Sequence, residues 1–212
     1  MDLRISDEPA HAAALAIARR LREACRRRGE ATLALSGGST APAMIDALLA
    51  QHVPWEAVTI WQVDERVAPD GDKDRNALQL ADLPCAVRLM PVTAGDLHAA
   101  AGRYARSLPE RFDLVHLGVG DDGHTASWPP GNHEVLVSDR RVELVPPFNG
   151  RQRMTLTPPV VNGARARLVL ATGAAKRPVI TRWLEGDKTL PIATVRRMAT
   201  TVYLDRAAAP RE

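Results

Sequence analysis

Lysine is scarce in this chain. Of its 28 basic residues only Lys73, Lys176 and Lys188 are lysines; the rest are arginines. Aromatic residues make up 4% of the 212 positions, and none interleaves with a basic run, which argues against a nucleic-acid surface. The net charge of +3 is scattered apart from Arg26-Arg27-Arg28 at the end of a helical stretch, where cations suit the helix dipole. So mild an excess fits a small anionic ligand. Cysteine is limited to Cys25 and Cys85, with no metal or redox spacing, so reduced thiols in the cytoplasm are expected. No apolar run reaches the roughly 18 residues of a membrane span. Met1-Asp2-Leu3-Arg4 is not a basic segment leading into an apolar one, so neither a membrane nor a signal peptide is expected. There is no repeat, low-complexity tract or linker, and residues 1–212 read as a single domain.

What is present alternates between helical and extended patterns. Pro9 to Arg28 has apolar residues at helical spacing and ends at Gly29. Thr32 to Leu35 is a short buried strand, followed by a Gly-Ser loop and a helix opened by Pro42 and running to about Ala50. Val58 to Val63 is a second strand, and a helix lies near Asn76 to Leu80. A strand over Val87 to Val92, a helix over Asp96 to Leu108 and a strand over Phe112 to Leu117 continue the alternation. Glu134 to Val137 and Arg141 to Val145 alternate like an antiparallel pair, with Arg153 to Thr157 as another strand. Ala166 to Thr172 is a strand that stops at Gly173 before a helix to about Leu184, and Ile192 to Val195 and Thr201 to Leu204 read as closing strands. The pattern predicts a three-layer α/β, Rossmann-like fold with a mainly parallel sheet and a small antiparallel insertion.

Four places where a strand passes into a loop or helix carry the polar chemistry. Ser36-Gly37-Gly38-Ser39-Thr40 lies between a strand and a helix, the layout in which free N–H groups and the positive helix end face a phosphate. It has more glycines and hydroxyls than a capped turn requires, but lacks the lysine of a P-loop. Asp64-Glu65-Arg66 places three charges at a strand's carboxyl end, where they are not expected in the core. They read as a solvated turn, or as a carboxylate for proton handling beside an arginine for an anion. Gly118-Val119-Gly120-Asp121-Asp122-Gly123-His124 offers two carboxylates and a histidine, the side chain whose ordinary pKa of about 6.5 suits proton transfer. Lys176 falls in a helix first turn, against the dipole. A ligand cleft should gather all four.

These motifs, in this order, resemble the short bacterial 6-phosphogluconolactonase family. The resemblance rests on Leu35 to Pro42, Asp64-Glu65-Arg66-Val67, Asn76, Gly118 to Ser127, Arg153-Met154-Thr155-Leu156-Thr157-Pro158, Gly173-Ala174-Ala175-Lys176 and Leu190-Pro191-Ile192-Ala193, nearly the whole chain. The chain departs from the family pattern in having Arg75 before the asparagine, Asp121 before Asp122, Trp128-Pro129 one residue early, and Arg177 after the lysine. The resemblance implies a fold shared with glucosamine-6-phosphate deaminase and ribose-5-phosphate isomerase. It implies hydrolysis of 6-phosphogluconolactone in the oxidative pentose phosphate pathway, with no metal or organic cofactor and no obligate protein partner.

On this reading His124 is the general base, and Asp64 orients or stabilises His124 or helps position the water. The backbone of residues 37–38 and 120–123, Gly123 included, or Arg66, donates to the oxyanion. Ser36, Gly37, Gly38, Ser39, Thr40, Arg66 and Lys176 surround the substrate and its phosphate. Direct attack by water is expected, since no Gly-x-Ser-x-Gly elbow is present. The alternatives are a sugar-phosphate deaminase or isomerase on the same scaffold, whose loops read Asp-Glu-Tyr and His-Ile-Ala-Phe, and a non-catalytic sugar-phosphate sensor.

Overall fold

The computed structural model describes residues 1–211. The chain begins with β1 (Asp2–Ile5) and α1 (Pro9–Arg28), then β2 (Ala31–Leu35), α2 (Ala41–Leu49), β3 (Val58–Gln62) and β4 (Asp64–Arg66). β5 (Ala86–Arg88), α3 (Leu97–Ser107), β6 (Leu114–Leu117) and α4 (His133–Val137) follow. The last third holds β7 (Val142–Phe148), β8 (Arg151–Leu156), α5 (Pro158–Gly163), β9 (Arg167–Ala171), α6 (Arg177–Glu185) and β10 (Thr200–Leu204).

Seven strands form one sheet in the order β1-β10-β9-β6-β2-β3-β5. Every pairing in it is parallel. Successive strands run outward from the centre in two directions, and the order reverses between β2 and β6, the position where open α/β sheets bind ligands. β4, β8 and β7 make a separate antiparallel sheet.

The alternation of side chains along each strand divides the core in two. Leu33, Leu35, Ile60, Leu114, Leu168 and Leu170 face α1 and α2. Ala34, Val115, Leu117, Val169, Val202 and Leu204 face the other way, toward α3, α6 and the antiparallel sheet. α1 buries Ala13, Ala14, Ile17, Ala18 and Leu21, begins with a proline at its first turn and ends at Gly29. Gly29 is left-handed at φ 80°, and its N–H returns to the Cys25 carbonyl. The small alanines let α1 lie close against α2 and β2.

Four local expectations change. Glu134 to Val137 is helix, not strand; Asn132 caps it, its Oδ1 accepting from the Val135 N–H at 3.4 Å. The antiparallel partner of β7 is therefore β8, across a tight turn in which Asn149 and Gly150 both have positive φ. Pro191–Thr194 forms a 3₁₀ turn rather than a closing strand, and the strand at Val87 is short, ending at Arg88. β1 has no counterpart in the sequence reading, because its four residues are exposed and show no burial pattern.

Candidate active site

The carboxyl ends of β2, β3, β6 and β9 surround a cleft of ≈ 240 Å³. Ser36, Gly37, Gly38, Ser39, Thr40, Asp64, Arg66, His124 and Lys176 all line it, together with Asn76 and Arg153. The four separate motifs of the sequence therefore converge at the point where the strand order reverses.

The loop after β6 is held in a tight turn. The Gly120 N–H donates to the His124 carbonyl at 2.8 Å, and the Gly123 N–H to the Gly120 carbonyl at 3.0 Å. The His124 ring folds back onto Gly120 so closely that a Cβ there would lie 2.0 Å from Nδ1. Only glycine fits beneath this histidine. His124 Nδ1 lies 2.6 Å from Asp122 Oδ1, which also accepts the His124 backbone N–H at 3.0 Å. Partial burial raises the pKa of the Asp122 carboxyl, but the His124 backbone N–H and ring outweigh it, and the net pKa is below the ordinary value. An ionised carboxylate only accepts, so Nδ1 carries the proton and Nε2 keeps a free lone pair. The Phe148 ring meets the imidazole edge-on at 5.0 Å, and the Arg153 guanidinium stacks over Phe148 at 5.2 Å.

The carboxylate that orients His124 is thus Asp122, not Asp64. Asp64 also lines the cleft but is buried, and its Oδ2 accepts from Ser127 Oγ at 2.7 Å. Burial pushes its carboxyl above the ordinary value, against the Ser127 hydrogen bond and the charges of Arg66 and Arg153. A carboxyl perturbed in this way inside a cleft remains a candidate proton handler or water ligand.

Glu65, expected at the surface, is completely buried. It accepts from the backbone N–H groups of Arg66, Asn76 and Ala77 and from Gln62 Nε2, at 2.8, 2.8, 2.9 and 2.8 Å. The Arg75 guanidinium, 5% exposed, lies with Nε 3.1 Å from Glu65 Oε2. A buried carboxylate needs that much compensation, and here it staples β4 to the 3₁₀ turn that carries Asn76. Arg75, one of the residues that depart from the family pattern, therefore does not line the cleft; it faces away, toward Glu65. Trp128, another departure, is buried and donates Nε1 to the Leu156 carbonyl at 2.8 Å.

Several polar atoms of the cleft have no partner among the described residues: Ser36 Oγ, Asn76 Oδ1 and Arg66 Nε are all buried and unsatisfied. Such atoms are rare in folded proteins, and in a cleft they mark where a ligand bonds. Asn76 presses so closely on the loop after β2 that a Cβ at Gly37 would lie 2.3 Å from its Oδ1. Lys176 sits at the start of α6 and forms an ion pair with Asp121, its side chain 19% exposed.

Three expected contacts are not available. Gly123 does not line the cleft: it packs beneath Leu190 and Val179, and its carbonyl accepts from the Ile192 N–H. The Gly120 and Gly123 N–H groups are spent on the turn, so they are not free oxyanion donors. The Gly38 N–H donates to Gln79 Oε1 at 3.1 Å. Asn76 and Arg153 are the gains. Both stood in the motifs behind the resemblance, but only the antiparallel pairing of β4 with β8, which sets Arg66 opposite Arg153, brings the second arginine to the cleft.

Comparison with known proteins agrees with this geometry. The family model for glucosamine-6-phosphate isomerases/6-phosphogluconolactonase matches residues 5–204. A 6-phosphogluconolactonase from Synechocystis is 35% identical over 183 residues, 78% of this chain and 76% of that protein. The crystal structure of a 6-phosphogluconolactonase from Shewanella baltica superposes with a TM-score of 0.88 at 26% identity, covering 97% of each chain. A monomeric glucosamine-6-phosphate deaminase superposes at 0.87 with 20% identity over 98% of each chain, a likeness of fold alone. The parallel sheet, the cleft at its reversal point and the matched sequence together make this chain a member of the glucosamine-6-phosphate isomerase/6-phosphogluconolactonase family.

Proposed function

We propose that the chain hydrolyses 6-phospho-D-glucono-1,5-lactone to 6-phosphogluconate in the oxidative pentose phosphate pathway, by attack of a water that His124 deprotonates. The observation that carries this reading is the Asp122–His124 contact of 2.6 Å, which leaves the other ring nitrogen free to act as a base in the cleft. His124 Nε2 takes a proton from water as the oxygen adds to the lactone carbonyl. The resulting oxyanion is met by Arg66, whose Nε is buried and unpartnered. Collapse breaks the bond to the ring oxygen, and the imidazolium returns the proton to that leaving alkoxide. Asp64 positions the water, and Arg153 adds positive charge beside Arg66.

The phosphate falls to Lys176, Ser39 and Thr40. Ser39 and Thr40 precede α2, where helix N–H groups are open to an anion. A phosphate would draw the Lys176 ammonium away from Asp121. Holding this remote group fixes the lactone for attack. The two free cysteines support a reducing, cytoplasmic setting: burial raises the Cys85 thiol to about 11, far from reactive thiolate. Both core clusters pack on one sheet, which supports a single working domain across residues 1–212.

The deciding experiment measures lactonase activity with freshly generated lactone, with ammonia release from glucosamine-6-phosphate as the arm for the deaminase alternative. Lys176→Ala should lower kcat/KM for the phosphorylated lactone and leave hydrolysis of unphosphorylated gluconolactone nearly unchanged. Equal losses on both substrates would remove the phosphate role.

A further inference from the structure

At the opposite edge of the sheet lies a second cleft, of ≈ 440 Å³, lined by Arg19, Arg20, Arg27, Arg28 and Arg165 with Glu23 and Asp113. Arg28 ends α1 before β2, Asp113 immediately precedes β6, and Arg165 precedes β9. This cleft is therefore at the amino ends of strands whose carboxyl ends form the catalytic cleft. The parallel sheet separates the two by its full depth, and they share no residue.

Five guanidiniums here face two carboxylates, and both carboxylates are already committed. Asp113 Oδ1 accepts from Arg28 and, at 3.2 Å, from Arg165, while Oδ2 accepts from the Thr32 N–H at 2.9 Å and Thr32 Oγ1 at 3.3 Å. Asp113 thus fixes two guanidiniums at the wall instead of filling the cleft. Glu23 pairs with Arg27 at 2.5 Å and with Arg26 at 3.4 Å. Arg19 and Arg20 form no hydrogen bond or ion pair among the described residues. Behind them lies Arg167, only 3% exposed, with its guanidinium on the carbonyls of Asn162 and Ala164 at 3.1 and 3.0 Å. Burial pushes its pKa down, and Arg196, Arg111 and Arg20 push it down further; no acid opposes them. Like charges gathered without a counter-charge destabilise the fold unless an anion joins them.

We propose that this edge is a second, non-catalytic anion site that takes a polyphosphate group. Arginine forks suit phosphate oxygens bidentately, and guanidiniums converging from α1 and from the turn before β9 match a chain of phosphates better than one. The volume is within the range of small-molecule sites. Ala24 is the only apolar residue in the lining and there is no aromatic ring, so the anionic chain is the group recognised, not a stacked base.

The test is calorimetric titration with inorganic tripolyphosphate at low salt, using the wild-type protein, Arg19→Gln/Arg20→Gln, Arg165→Gln and Lys176→Ala. Lys176→Ala, which lacks the lysine proposed for the substrate phosphate, should still bind one equivalent at this edge, the wild type should bind at least that equivalent, and affinity should fall as salt rises. Arg19→Gln/Arg20→Gln removes two side chains that make no hydrogen bond or ion pair among the described residues, so it should fold with unchanged lactonase rate and bind at least about tenfold more weakly. Arg165→Gln should weaken binding as well. ATP in place of tripolyphosphate separates the sources: equal affinity names the phosphate chain alone, and tighter binding names a nucleotide. The proposal falls if the wild type shows no saturable binding, if Lys176→Ala abolishes it, or if the arginine variants bind as the wild type does. It falls equally if a short single-stranded DNA binds far more tightly than tripolyphosphate, which would make this edge a nucleic-acid surface.

Discussion

Gly120→Ala places one methyl group where the imidazole of His124, the proposed base, now rests. The new Cβ would lie 2.0 Å from His124 Nδ1, 2.1 Å from Cε1 and 2.6 Å from Asp122 Oδ1, whereas ordinary contact begins near 3.4 Å. Relieving the first contact requires a ring movement of about 1.4 Å, the difference between 3.4 and 2.0 Å. The movement also breaks the 2.6 Å contact that fixes the tautomer. A misplacement near 1 Å costs on the order of 10²-fold in rate, and a general base contributes about 10²- to 10⁴-fold. We therefore expect kcat to fall by about 10² to 10³. The ring is 27% exposed, so it can swing toward solvent, and the melting temperature should stay within a few degrees of wild type. The assay follows acid release from fresh lactone between pH 5 and 8, with the spontaneous rate subtracted at each pH. A folded Gly120→Ala protein with wild-type kcat and an unchanged pH profile would refute both the assignment of His124 as base and the geometry behind it.

Three further outcomes follow from the same contacts. Asp122→Asn removes the carboxylate that holds the His124 ring through Nδ1, so kcat should fall while the protein stays folded; an unchanged kcat would show that Asp122 does not act on His124. Arg75→Leu leaves the buried Glu65 without its cation and should cost ~3 kcal/mol or more in urea unfolding, the range for breaking a buried pair; a loss below about 0.5 kcal/mol would make the pair energetically idle. His116 is fully buried on β6 with neither ring nitrogen bonded, and burial lowers its pKa from 6.5 to about 4. The unfolded chain then binds the extra proton between those values, so stability falls as pH drops from about 6.5 to 4, by up to about 3 kcal/mol. His116→Leu should flatten that decline in chemical denaturation, and parallel curves for the two proteins would disprove it.

Much of this was legible in the chain. The parallel strands show as short apolar runs between glycines, and the polar motifs stand at their ends because that is where a parallel sheet opens. What could not be read were relations between distant segments. Glu65 looks like a surface charge until the turn at residues 75–77 returns three donors to it. Asp64 and Asp122 are equally plausible partners for His124, and only the fold of residues 120–124 chooses the local one. Residues 134–137 have the valines of a strand, but Asn132 caps them into a helical turn. The amino-edge cleft is invisible in sequence because its arginines come from α1 and from the turn before β9, with Asp113 supplied by the chain between them.

The strand order also has a temporal consequence. β10, the strand farthest from β1 along the described chain, is not an edge strand; it lies between β9 and β1. β1 pairs only with it, Leu3 beside Val202 and Ile5 beside Leu204. β1 therefore waits, unpaired, until the roughly two hundred residues between it and β10 have been made. Its closure entropy is met only when the interior strand arrives, and such long-range pairing slows folding. A nascent chain stalled before Thr200 would hold every loop that lines the candidate site but leave one side of β9 open to other chains, an edge that invites aggregation.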